Sequence, residues 1–154
     1  MGTFTKLTYH IVFGTKYRRN TIRPTFVERL YEYVGGIIRA DGGHMIEIGG
    51  VEDHIHILAN LPASGSVSAS VRDIKANSSR WINELSEVID RFEWQKGYAA
   101  FTVSYSQIDG LREYIQNQVE HHRRRSFEEE YILFLQRHSI PFERQWLFEH
   151  EHHG

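Results

Sequence analysis

Two short constellations in this sequence combine residue types that can carry chemistry. In His54-Ile55-His56 the histidines stand two apart within a run, Asp53 to Leu61, that reads as a strand. Side chains two apart on a strand share a face, so both imidazoles project side by side while Ile55 and Ile57 point into the opposite layer. Such a pair makes a two-point clamp for a metal ion; taken alone, it serves as well as a hydrogen-bonded pair of sheet histidines. The second constellation lies on a helix that the spacing predicts from Ser106 to about His122. There Ile108, Leu111, Ile115, Val119 and His122 form the buried stripe, and Tyr114, Gln118 and His121 line up on its flank at i, i+4 and i+7. A tyrosine so placed is ordinarily amphipathic packing with its hydroxyl at an edge. Together the two sets have a specific sense. A divalent ion held by two neutral imidazoles and an amide oxygen polarises a phosphodiester, and a nearby tyrosine can attack phosphorus and take over the phosphate. The phosphotyrosine conserves the energy of the broken linkage, so rejoining needs no nucleotide cofactor, and the chain has no GxxxxGK loop.

The elements that must position these residues follow from periodicity. Thr3 to Phe13 alternates as a strand, with Phe4, Tyr9, Ile11 and Phe13 among its apolar positions. Pro24 opens a helix whose stripe is Phe26, Leu30, Tyr33, Val34, Ile37 and Ile38, running to about Ala40. His44 to Gly49 and Asp53 to Leu61 form a hairpin. Ser66 caps a helix with Val67, Val71, Ile74, Trp81, Ile82 and Leu85 on one face. Ala99 to Tyr105 is a fourth strand, and Ser126 to His138 a fourth helix. The order β-α-β-β-α-β-α-α predicts an α+β fold, helices packed on a mainly antiparallel sheet.

At 154 residues the chain is one domain, with a core over about 3–140 and a C-terminal tail over 141–154 that holds His150, His152 and His153. Hydrophobic residues at 40% and charged residues at 25% exclude a disordered or collagenous chain. Eighteen Lys plus Arg against twenty Asp plus Glu exclude a histone-like binder, so any nucleic-acid surface is a local patch. The absence of cysteine removes disulfides and thiolate zinc sites and makes the cytoplasm the natural default. No apolar run approaches the roughly 18 residues of a membrane span.

Taken in order, Tyr9-His10-Ile11-Val12-Phe13, Lys16-Tyr17-Arg18-Arg19, Asp53-His54-Ile55-His56-Ile57-Leu58, Gly97-Tyr98-Ala99-Ala100-Phe101 and Tyr114-Ile115-Gln116-Asn117-Gln118 resemble the single-tyrosine HUH (His-hydrophobe-His) transposases, which move insertion sequences as single-stranded DNA. The resemblance covers nearly the whole chain and implies the HUH-nuclease, ferredoxin-like architecture. It implies His54 and His56 as metal ligands, Gln118 as the third, Tyr114 as the nucleophile, Mg²⁺ or Mn²⁺ as the ion, and a homodimer in which each tyrosine helix can complete the partner's histidine site. Asp53 is a candidate partner for His54, with a turn role as its rival reading; Tyr98 and Tyr105 are rival nucleophiles, each lacking a helical Gln four residues on.

Lys16, Arg18, Arg19 and Arg23 around Tyr17 mix cations with a stacking ring, as a single-strand groove does. Arg72, Lys75 and Arg80 form a second patch, in a region that contacts hairpin DNA ends in the family, and His121 to Arg125 a third, partly offset by Glu128 to Glu130. The expected activity is site-specific cleavage and rejoining of single-stranded DNA at hairpin-forming element ends. The competing readings are a domesticated nickase-ligase acting on genomic palindromes, a non-catalytic single-strand binder, and a metal hydrolase in which water attacks.

Overall fold

The computed structural model describes residues 1–149, so His150, His152 and His153 lie outside the described residues. Four strands, β1 (Thr8–Gly14), β2 (His44–Val51), β3 (His54–Asn60) and β4 (Ala99–Thr102), form one sheet in the order β2-β3-β1-β4. Every neighbouring pair is antiparallel. Among the described residues five α-helices complete the α+β fold, one more than the expected order has: α1 (Val27–Ala40), α2 (Val67–Asn83), α3 (Ile108–Gln116), α4 (Gln118–His122) and α5 (Phe127–Arg137).

Differences from the sequence reading fall at element ends and at one helix. The first strand begins at Thr8, not Thr3, because ladder pairing begins only where Thr8 meets Asn60; alternation without a partner strand makes no ladder. The fourth ends at Thr102, opposite Tyr9 at the end of its pairing with β1. The first helix starts at Val27 after a turn at Pro24–Phe26. The third predicted helix is two, broken at Asn117 (φ −100°, ψ 27°), where the backbone leaves the helical well. Ser66 caps α2 by accepting from the Ala69 amide, and Ser126 with Glu129 forms a capping box that starts α5.

The strand alternation splits the protein into two apolar layers. Ile11, Phe13, Ile55, Ile57 and Ala59 face α1 and α2, packing on Leu30, Val34, Val71, Ile74 and Ile82. The other face presents Val12, Ala99 and Phe101 to Phe127, Tyr131 and Leu135 of α5. Apolar packing on that second face continues past residue 140, where the sequence reading ends the core: Phe142, Leu147 and the buried Phe148 join it.

One close approach brings α3 onto the sheet. A Cβ at Gly49 of β2 would stand 2.5 Å from the Ile115 carbonyl oxygen, so only glycine lets the α3 backbone lie directly on the strand. Gly49→Ala is therefore expected to destabilise the protein by about 1–3 kcal/mol, since the obstacle is backbone that cannot rotate away. Urea denaturation reads this directly; an unchanged midpoint would mean that α3 shifts freely.

Candidate metal and tyrosine site

His54 and His56 project from β3 onto the α5 side of the sheet and are fully buried, while Ile55 and Ile57 enter the opposite core, as the two-residue spacing requires. Each ring has an outer partner. His54 Nδ1 lies 2.7 Å from Asp53 Oδ1, so Asp53 does hold His54 even though it precedes it on the chain. His56 Nδ1 lies 2.8 Å from Nε2 of His10, a buried residue on the same face of β1. Such outer contacts fix the tautomer and orientation of imidazoles used as ligands. Phe127 stacks on the His54 ring at 4.1 Å between centroids. Gly14 admits it, since a Cβ there would meet Phe127 at 2.5 Å.

The break at Asn117 reorganises the tyrosine helix. The expected stripe of Ile115, Val119 and His122 holds only in part: Ile115 is buried, but Val119 is exposed and Gln118 is buried in its place. Gln118 Oε1 lies 3.1 Å from Nε2 of His54 and 3.1 Å from Nε2 of His122. Tyr114, on the last turn of α3, is half-buried, its ring against His121 at 4.2 Å and edge-on to His56. Tyr114, Gln118, His54 and His56 thus meet within one chain. Tyr105 is exposed.

Sequence reasoning missed the residue at the centre. Glu130 of α5 is buried, and its Oε1 lies 2.8 Å from His56 Nε2 and 3.2 Å from Nε2 of both His54 and His122. Its Oε2 accepts from the Tyr114 hydroxyl and from Gln118 Nε2 at 3.3 Å. The sequence reading counts Glu130 with Glu128 as an acidic offset to basic residues. Helical spacing could have found it, because Phe127, Glu130, Tyr131 and Phe134 share one face.

The electrostatics follow from this packing. Burial alone would lower the His54 pKa, but hydrogen bonds to Asp53 and Glu130 outweigh it and raise it to about 9. Burial lowers His56 against a smaller opposing effect of Glu130, and lowers His10 strongly. Burial also pushes Glu130 upward, but hydrogen bonds from His122, His54 and His56 hold its carboxyl far below the usual carboxylate range. The Tyr114 phenol is raised by burial and by the adjacent Glu130 charge.

The donor set fits a divalent cation. Ligand atoms of His54, His56, His122 and Glu130 all lie within 4.8 Å of one another. The three contacts of Glu130 Oε1, at 2.8 and 3.2 Å, are close to the spacing of about 3 Å between neighbouring donors around an ion with bonds near 2.1 Å. A cleft of about 400 Å³, lined by Tyr114, Glu120, His121, Arg124, Arg125 and Glu130, opens this cluster on the Tyr114 side.

The basic candidates divide. Lys16, Tyr17, Arg18 and Arg19 form a turn just after β1; Tyr17 and Arg18 take positive φ, and Arg18 lies over the Phe148 ring at 4.6 Å. Lys16 pairs with Glu93 at 3.2 Å and approaches Glu149, which raises its pKa. Arg72, Lys75 and Arg80 ride on α2, across the sheet from the histidines. Lys75 donates to the carbonyls of Gln95, Lys96 and Gly97, and burial lowers its pKa to about 8, so it ties down the approach to β4. Arg80 bonds Asn77 on its own helix, and Arg72 is exposed.

An antiparallel sheet that sets a His-hydrophobe-His pair against a helix-borne tyrosine defines the HUH class of tyrosine transposases, and comparison with known proteins bears this out. Residues 3–118 match the family model described as "Transposase IS200 like". Over 121 residues the chain is 31% identical to the transposase for insertion sequence element IS200 of Salmonella typhimurium, covering 73% of this chain and 76% of that protein, and equally to that of Salmonella typhi. Two solved structures share the fold at lower identity. One is a Deinococcus radiodurans R1 protein described as a transposase (TM-score 0.62, 23% identity, 77% of this chain and 95% of that one). The other is the REP-associated tyrosine transposase bound to a REP hairpin (TM-score 0.59, 18% identity, 79% and 72%). The chain belongs to the IS200-like transposase family and is an enzyme of DNA strand transfer. Among the described residues no helix is long and apolar enough to cross a membrane.

Proposed function

We propose that this transposase cuts and rejoins single-stranded DNA through a 5′-phosphotyrosine formed on Tyr114. The observation that carries this reading is the single hydrogen-bonded cluster in which the Tyr114 hydroxyl meets Glu130 and Glu130 meets His54 and His56. His54, His56 and Gln118 would hold the ion, which when bound would supply Lewis-acid polarisation of a phosphoryl oxygen. Tyr114 Oη forms the bond to phosphorus and the bond from phosphorus to the 3′ oxygen breaks. The phenolic proton is released and the 3′ oxygen leaves as a hydroxyl, so the count of protons balances. Attack by another 3′-hydroxyl reverses the step and joins the new strand. Imidazole donors favour Mn²⁺ over Mg²⁺, which prefers oxygen.

The substrate in this reading is a hairpin-forming element end. Its scissile phosphate reaches Tyr114 through the cleft that Arg124 and Arg125 line. The Lys16–Arg19 turn holds flanking phosphates, giving affinity without a sequence code. Arg72 and Arg80, across the sheet, suit the hairpin stem, with Lys75 contributing through the turn it anchors. The enzyme acts in the cytoplasm as a homodimer.

The test is a denaturing gel of the protein with labelled oligonucleotides from the DNA flanking its own gene, with Mn²⁺, Mg²⁺ or EDTA. A metal-dependent adduct that survives SDS is expected. Cleavage without an adduct would make water the nucleophile, and binding without cleavage would make the protein a non-catalytic binder.

A further inference from the structure

We infer that Glu130 is a working part of the site: its Oε1 joins the two histidines as the anionic metal ligand, and its Oε2 holds the Tyr114 hydroxyl beside that ion. This inference rests on the metal-and-tyrosine reading above and extends it to a residue on α5, beyond the 3–118 span that matches the family model.

The geometry is that of a bridge. One carboxylate oxygen faces Nε2 of His56, His54 and His122 at 2.8, 3.2 and 3.2 Å, and the other faces the nucleophile. A carboxylate spans only its own width, so an ion seated on Oε1 and a phenol seated on Oε2 are neighbours by construction. Charge argues the same way. His54, His56 and Gln118 are neutral as ligands, and a divalent ion in a site whose side chains are buried needs a nearby anion to offset lost hydration. Asp53 stands behind the His54 ring at Nδ1, whereas Glu130 is the anion on the Nε2 side of both histidines, and its place is secured by the capping box at Ser126 and by Phe127 and Tyr131, which flank it in the second core.

Glu130→Gln keeps the size and removes the charge. Mn²⁺ binding to the full-length, DNA-free protein, followed by calorimetry, is expected to weaken at least about tenfold, with circular dichroism unchanged. Adduct formation at saturating Mn²⁺ is expected to fall as well. Glu130→Asp keeps the charge but pulls the carboxylate back; it should retain more Mn²⁺ affinity than Gln and still form little adduct. It also keeps the question decidable if the Gln variant does not fold. Unchanged Mn²⁺ affinity in the folded Gln variant, or wild-type adduct yield in both variants, would overturn the inference. A rise in adduct yield would overturn it too, showing that Glu130 merely plugs the seat of the scissile phosphate. A wild-type protein that binds Mn²⁺ through Glu130 yet forms no adduct would sink the phosphotyrosine reading alone.

Discussion

Tyr114→Phe is expected to abolish the protein–DNA adduct, by at least about a thousandfold, while leaving a folded protein that still binds Mn²⁺. In the proposed reaction the oxygen removed is the atom that bonds to phosphorus, and nothing substitutes for a missing nucleophile. The ring itself is retained, and with it the stacking on His121 and the edge contact to His56. What the fold loses is the hydroxyl's hydrogen bonding to Glu130 and Gln118, while Glu130 Oε2 keeps its own contact with Gln118 Nε2. A stability loss of about 1–2 kcal/mol is expected, too little to explain a vanished activity. Tyr98→Phe and Tyr105→Phe should leave the adduct intact. The denaturing gel and a thermal melt of each variant settle the matter: an adduct that persists in Tyr114→Phe transfers the chemistry to another residue.

The placement of the strand histidines and of the helix tyrosine is legible in the sequence because each rests on a local rule. Two-residue spacing places His54 and His56 together on one face, and helical spacing places Tyr114 on the flank of the stripe that buries Ile115. The layers were legible for the same reason. What escaped depends on contacts between segments far apart in the chain. Glu130 sits in an acidic first turn, where carboxylates commonly serve only the helix dipole, and nothing nearby reveals that three imidazoles surround it. His10 passes as one more strand residue until β1 is laid against β3. The Asn117 break has no proline or glycine to announce it, yet it exchanges Val119 for Gln118 as the inward residue. Lys75 reads as a surface cation because the carbonyls that enclose it lie about twenty residues further on.

Removing metal is expected to give the protein a stability that peaks near neutral pH, and restoring Mn²⁺ should raise stability most on the alkaline side. Without an ion, His54 is held protonated by Asp53 and Glu130 with a pKa of about 9, above its unfolded value. Its contribution is full below about pH 6.5 and is lost as pH rises through about 9. His56 and His10, lowered by burial, fold as neutral rings, so folding is penalised as pH falls below about 6.5. With His54 as a ligand, as proposed, binding an ion requires the lone pair on its Nε2, so below about pH 9 a proton must leave first and the affinity for Mn²⁺ should climb from pH 6 to 9. The melting temperature gained with Mn²⁺ over EDTA should widen over that range, reaching the equivalent of about 2.7 kcal/mol at a free concentration a hundred times Kd. His56→Ala should remove nearly all of the gain, because it deletes a proposed ligand, takes from His10 its contact with His56 Nδ1 and from Glu130 its shortest imidazole contact. Zn²⁺ should bind more tightly than Mn²⁺, and Mg²⁺ more weakly, as nitrogen donors dictate. Melts at pH 6, 7.5 and 9 test the whole scheme: a gain that does not change with pH would mean that the ion binds away from His54, and no gain at any pH would leave the cluster as a buried ion-pair network.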